Sequence, residues 1–166
     1  MKFEIRHATP ADLPAVLAMN EAAVPHVNSL DLARMKSLHE QATWFRVAAA
    51  RTGEGLAAFL IGLTPEAKYD SPNFLWFCRN YPSFAYIDRI AVAGNAKRHG
   101  LGTALYDDFE AAFSNRVPML ACEVNLRPAN PASMAFHRRR GFTQAGSQAI
   151  DDGKKEVAMM VKQLTR

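Results

Sequence analysis

A chain of 166 residues with 49% hydrophobic and 22% charged side chains can bury a core of its own and is too apolar for a disordered polyelectrolyte; a single soluble domain over 1–166 is expected. Two cysteines, Cys78 and Cys122, are too few for a disulfide framework, and no Cys/His cluster has metal-ligand spacing. No metal is therefore expected, and a reducing cytoplasm is the expected compartment. A net charge of +4 is a weak argument for nucleic acid, and the longest apolar run, Leu56 to Leu63, is far too short to span a bilayer. Neither nucleic acid nor membrane is an expected partner.

The first residues, Lys2 to Arg6, alternate charged and apolar side chains. They read as a strand and lack the apolar core of a leader peptide. Thr9-Pro10-Ala11-Asp12 reads as a capping box, with Asp12 ahead of Pro14 as a rival cap, and opens a helix to about Glu21. Pro25 breaks it. Leu32, Met35, Leu38 and Ala42 then recur at helical spacing.

Trp44 to Ala50 and Leu56 to Leu63 read as a hairpin around Arg51-Thr52-Gly53-Glu54-Gly55. Thr64 to Ser83 carries Pro65, Pro72 and Pro82 among Tyr69, Phe74, Trp76, Phe77 and Tyr81, too aromatic for an idle loop. It reads either as a loop or short helix that buries its aromatics against the sheet or, in part, as the wall of a ligand pocket. Phe84 to Val92 is a strand, and Leu101, Leu105, Phe109 and Ala112 mark the buried face of the helix after it. Pro118 to Asn125 is a further strand, and Ser133 to Arg140 a helix ended by Gly141. Phe142 to Ile150 and Lys155 to Lys162 form a terminal hairpin across Asp151-Asp152-Gly153-Lys154.

One stretch organises the rest. Between the strand ending at Val92 and the helix opening at Leu101 lie Lys97, Arg98, His99, Gly100, Gly102 and Thr103. The glycines let backbone approach a ligand, the helix start directs amide N–H groups outward, and the basic residues add charge, so a multiply charged anion is the expected guest. There is no G-x-x-x-x-G-K-S/T and no third glycine for G-x-G-x-x-G, which weakens both nucleotide readings.

The stretch resembles motif A of the GNAT superfamily of acyl-CoA-dependent N-acyltransferases, Q/R-x-x-G-x-G/A, with Lys97 where Gln or Arg is usual. A second run, Asn130-Pro131-Ala132-Ser133-Met134-Ala135-Phe136-His137-Arg138-Arg139-Arg140-Gly141-Phe142, resembles that family's N-P-x-A/S-x-x-F-Y-x-x-x-G-F, and the order and separation of the two motifs fit. The resemblance implies an α/β (α+β) GNAT fold: a mixed, mostly antiparallel seven-stranded sheet flanked by helices, its fourth and fifth strands parallel and splayed apart. It also implies an N-acetyltransferase that uses acetyl-CoA or another acyl-CoA as co-substrate, without metal, by direct attack in a ternary complex.

Residue by residue, the resemblance places the pantetheine arm against Ile90, Ala91 and Val92. The pyrophosphate falls on Lys97, Arg98, His99, Gly100, Leu101, Gly102 and Thr103, and further contacts on Asn130, Ser133 and Phe136. Cys122-Glu123-Val124-Asn125 is similar to the L-E-V-R of the subset acting on ribosomal-protein N-terminal amines, which makes Glu123 the expected base. Tyr86 and Asp88 form an alternative water-ordering pair; in a purely structural reading Asp88 pairs with Arg89 or Arg6. His137 replaces the family's acid tyrosine and is the candidate acid, with Tyr106 and Tyr86 as fallback donors. Glu21, His26 and His39 border the region where the family admits its acceptor.

The acceptor itself, a small-molecule or protein amine, is not specified by these motifs. The rival function is an acyl-CoA-binding sensor that lacks turnover. Dimers are common in the family, and segment 64–83 is a candidate homodimer interface.

Overall fold

The computed structural model describes residues 2–164. Alternation at the start forms β1 (Phe3–His7), after which a 3-10 turn (Pro10–Asp12) leads into α1 (Leu13–Ala23) and α2 (Leu32–Gln41). β2 (Trp44–Ala50) and β3 (Leu56–Leu63) follow, then α3 (Pro72–Asn80), β4 (Ala85–Val92), α4 (Leu101–Phe113), β5 (Met119–Arg127), α5 (Pro131–Arg139), β6 (Thr143–Ile150) and β7 (Lys155–Gln163). The strands order as β1-β2-β3-β4-β5-β7-β6 in one seven-stranded sheet. β1/β2, β2/β3, β5/β7 and β6/β7 are antiparallel, whereas β4 and β5 run parallel.

By contacts the chain resolves into two compact units, one of Met1–Leu63 with Arg89–Ala112, the other of Thr64–Asp88 with Phe113–Arg166. In the first, α1 and α2 bury Leu13, Val16, Met35 and Leu38, β3 buries Phe59 to Ile61, and α4 buries Leu105, Tyr106 and Phe109. A side chain at Gly62 would enter the ring of Phe109, so glycine there lets α4 lie directly on β3. Leu32, expected on the buried stripe, sits at the helix start and is 37% exposed; α2 is capped there by Asp31, whose carboxylate accepts from Arg34 N–H at 2.7 Å.

The capping box closes with an addition. Asp12 accepts from Thr9 N–H at 2.8 Å and receives both terminal nitrogens of Arg6, at 2.7 and 2.9 Å. Arg6 therefore holds the Asp12 carboxyl well down, at about 2. A carboxylate depressed on folding stabilises the fold above the ordinary carboxylate range, and the contribution disappears as pH falls from about 4 towards about 2. Asp12→Ala is expected to cost about 1–2 kcal/mol at pH 7. The gap between the variant and the unaltered protein, followed by denaturant melts, should close by pH 2; a gap independent of pH would leave the pair without weight.

In the second unit, the aromatic segment after Thr64 becomes α3, a short helix started by Ser71 and Pro72. Phe74 and Phe77 are buried, and Trp76 packs where a side chain on Gly146 of β6 would collide with it. β5 runs to Arg127, two residues beyond the expected end, because β7 continues to pair with it as far as Arg127↔Glu156. Gly141 takes φ +95 after α5, the left-handed conformation a helix C-terminus requires. The terminal hairpin turns through positive φ at Asp151, Asp152 and Gly153.

Candidate active site

In the first unit β4 ends on a tether and a tight turn. Ala93 N–H donates to Ala57 O on the chain just into β3 at 2.8 Å, and Gly94–Ala96 form one 3-10 turn. Lys97 is extended, Arg98 lies at φ +70 and Gly100 at φ +72. Two left-handed residues in so short a span reverse the chain abruptly into α4.

The first bond of that helix runs from Ala104 N–H to Gly100 O at 2.9 Å. The amides of Leu101, Gly102 and Thr103 precede it and are those that the helix itself cannot satisfy. A Cβ at Gly100 or Gly102 would meet nothing within 4 Å, so the glycines leave open space in front of the amides. Lys97, Arg98 and His99 are exposed around them. Donors, positive charge and room coincide, as a diphosphate requires.

α4 is anchored from behind. Asp108 accepts from Trp44 Nε1 at 2.8 Å and from Arg46 Nε at 3.1 Å, and the Arg46 guanidinium lies 4.2 Å over the Trp44 ring. The helix start therefore points where β2 and β3 set it. On β4, buried Arg89 donates through one nitrogen to Asn20 Oδ1 at 3.0 Å and to Asn28 O at 3.1 Å. Glu21 accepts from Leu30 N–H and Ser29 Oγ, each at 2.8 Å, so it braces the connection between α1 and α2. His39 packs edge-on against Phe45.

The second unit carries the acid–base groups. The parallel ladder pairs Ala85 with Leu120 and Tyr86 with Ala121. Asp88 and Glu123 each stand two residues further on, hence on the same face as that last pair. Tyr86, fully buried, donates to Glu123 Oε2 at 2.6 Å. Burial pushes its phenol well above the usual range, and the nearby Glu123 and Asp88 charges add to this, so Tyr86 remains a donor at any working pH.

Asp88 accepts from Tyr69 Oη at 2.7 Å. Arg6, offered as a partner in a purely structural reading, binds Asp12, and Arg89 binds Asn20 and Asn28. Tyr69 is the residue whose role sequence reasoning missed. Its only signal was membership of the proline-punctuated aromatic segment.

α5 is capped by Asn130, whose side-chain oxygen accepts from Ser133 N–H at 3.2 Å. His137 is 5% exposed between Phe136 and Phe142, and its Nδ1 lies 2.7 Å from Ser133 O. A carbonyl can only accept, so Nδ1 carries the proton. Burial pushes the imidazole below its usual range, with the Ser133 bond opposing and Arg140 reinforcing. The ring is thus neutral near pH 7, with its one proton committed to the backbone. Tyr106 is buried in the first unit.

Among the described residues no group of three or more metal-ligating side chains occurs, and no helix is long and apolar enough to cross a membrane.

Residues 18–142 match the model of the acetyltransferase (GNAT) family. Comparison with curated proteins by sequence finds no significant match. Among solved structures, Ard1 from Thermoplasma volcanium superposes with a TM-score of 0.78 at 19% identity, over 100% of both chains. The ribosomal-protein-S18-alanine N-acetyltransferase from Escherichia coli gives 0.74 at 20% identity, over 99% of this chain and 96% of that one. NAA60 from Arabidopsis thaliana, in complex with acetyl-CoA, gives 0.75 at 14% identity, over 98% and 99%. At these identities the likeness is one of fold.

Proposed function

This chain belongs to the acetyltransferase (GNAT) family, and on that premise we propose that it transfers the acyl group of acetyl-CoA or a related acyl-CoA to a primary amine. The observation that carries the reading is the turn into α4, where left-handed Gly100 and open space at Gly102 expose backbone amides among Lys97, Arg98 and His99. These groups hold the diphosphate of coenzyme A. The backbone of Ile90, Ala91 and Val92 takes the pantetheine arm, with an N–H polarising the thioester carbonyl. Asn130, Ser133 and Phe136 add contacts from α5.

Glu123 acts as the base. The attacking nitrogen forms the new C–N bond as the C–S bond breaks, its proton passes to Glu123 directly or through one water, and the thiolate leaves and is protonated from solvent. Tyr86 keeps the carboxylate aimed throughout. The expected acid role of His137 draws no support from a neutral, backbone-bonded ring. A thiolate is a good enough leaving group to depart without it. Solved neighbours of the same fold include enzymes that act on protein amines, such as that for ribosomal protein S18 alanine, which supports an amine acceptor here.

The state of His137 is also what favours a second reading, an acyl-CoA sensor. Titration calorimetry with acetyl-CoA, propionyl-CoA and coenzyme A, followed by thiol release against a panel of amines, separates them. Micromolar binding, on the order of −8 kcal/mol, with thiol release supports the transferase. Binding without release for any amine supports the sensor, and no binding overturns both.

A further inference from the structure

Asp88 is a second carboxylate on the face that carries Glu123, and nothing in the acyl-transfer step requires two. Both are half-buried. Tyr86 lies buried beside them with its proton given to Glu123. Asp88 is held independently, by the Tyr69 hydroxyl at 2.7 Å. Tyr69 is itself braced at 5.6 Å from the ring of Phe74, which packs 5.5 Å from that of Tyr86. One wall therefore presents two fixed carboxylates backed by aromatic rings, an arrangement that attracts an ammonium ion and repels an anion.

We propose that Asp88, positioned by Tyr69, orients the acceptor, which enters as an ammonium ion bearing no free carboxylate beside its nitrogen, as a peptide amine does and a free amino acid does not. The inference rests on the transferase reading. Two tasks are then divided between two carboxylates: Asp88 fixes the cation by a charge-assisted hydrogen bond, and Glu123 takes the ammonium proton that must leave before the nitrogen can attack, releases it to solvent, and then takes the second proton as the C–N bond forms. A carboxylate on the acceptor's own α-carbon would stand near both acidic groups and be rejected by like charge.

The test begins with the unaltered protein and acetyl-CoA, comparing alanine amide with alanine in the thiol-release assay. The amide is expected to win by about tenfold or more in kcat/KM; equal use of the two, or preference for the acid, overturns the proposal. Asp88→Asn should then raise KM for the amide about ten- to a hundredfold with kcat within about threefold, and leave acetyl-CoA affinity by calorimetry unchanged. Tyr69→Phe, which removes only the hydroxyl, should move KM the same way by less, with the thermal midpoint unchanged. A fall in kcat with KM constant in Asp88→Asn makes Asp88 a base and sinks the assignment. Absence of turnover with every amine despite acetyl-CoA binding defeats the transferase reading itself, and this inference with it; turnover with unchanged KM defeats this inference alone.

Discussion

Glu123→Gln is expected to lower kcat by about 10²- to 10⁴-fold while acetyl-CoA affinity stays within about twofold. The amide can still accept the Tyr86 proton at the position where Oε2 now lies 2.6 Å away, so aim and packing survive and only basicity is lost. The loss should therefore appear without a change in thermal midpoint. Partial rescue at high pH, where the acceptor arrives already neutral, would follow from the same argument: the ammonium proton is then gone before binding, and only the proton released on attack still has to leave, to solvent. His137→Phe is the companion measurement. Its ring holds the first turn of α5 through Ser133 O, so the variant should melt earlier yet keep kcat within about threefold. Steady-state kinetics of both variants decide the roles; full activity in Glu123→Gln, or a collapse of kcat in His137→Phe with cofactor still bound, would reverse them.

What could be read before the fold was known follows from how local each feature is. β2 and β3 appear at the expected residues because their runs are apolar and their turn, Arg51 to Gly55, is spelled in glycine. The turn into α4 was equally legible, since glycine spacing and basic charge are local properties. The partnership of Tyr86 with Glu123 was not, because it depends on the pairing of Tyr86 with Ala121 across strands separated by a whole helix. Tyr69 lies further still from any local pattern. Its hydroxyl meets Asp88 across the sequence, where its ring packs on Phe74 and Phe74 packs on Tyr86. Burial of His137 shows the same limit: on the helix pattern it occupies a motif position, and only the rings of Phe136 and Phe142 closing on it decide that it stays neutral. Arg98 at φ +70 had no signal, for a non-glycine residue in that region is uncommon and nothing in its neighbours requires it.

The two glycines of the cradle separate conformation from room, and Gly102→Asp exploits the difference. Gly100 lies at φ +72, where any side chain strains the backbone, so its replacement confounds folding with binding. Gly102 has no such φ, and a Cβ there meets nothing within 4 Å. It is the second residue of α4, where replacing glycine favours the helix and a carboxylate interacts well with the helix N-terminus, together by about 1 kcal/mol. Stability should therefore hold or rise. The same carboxylate occupies the space in front of the amides and opposes a diphosphate of like charge, an effect of several kcal/mol, so acetyl-CoA affinity should fall by at least about a hundredfold. Opposite movement of melting temperature and affinity is the signature of a residue kept as glycine for a ligand rather than for the fold. Gly102→Ala, small and neutral, should lose far less affinity, which separates charge from bulk. If Gly102→Asp binds acetyl-CoA as the unaltered protein does, the diphosphate lies elsewhere and the proposed cradle is an ordinary strand-to-helix turn.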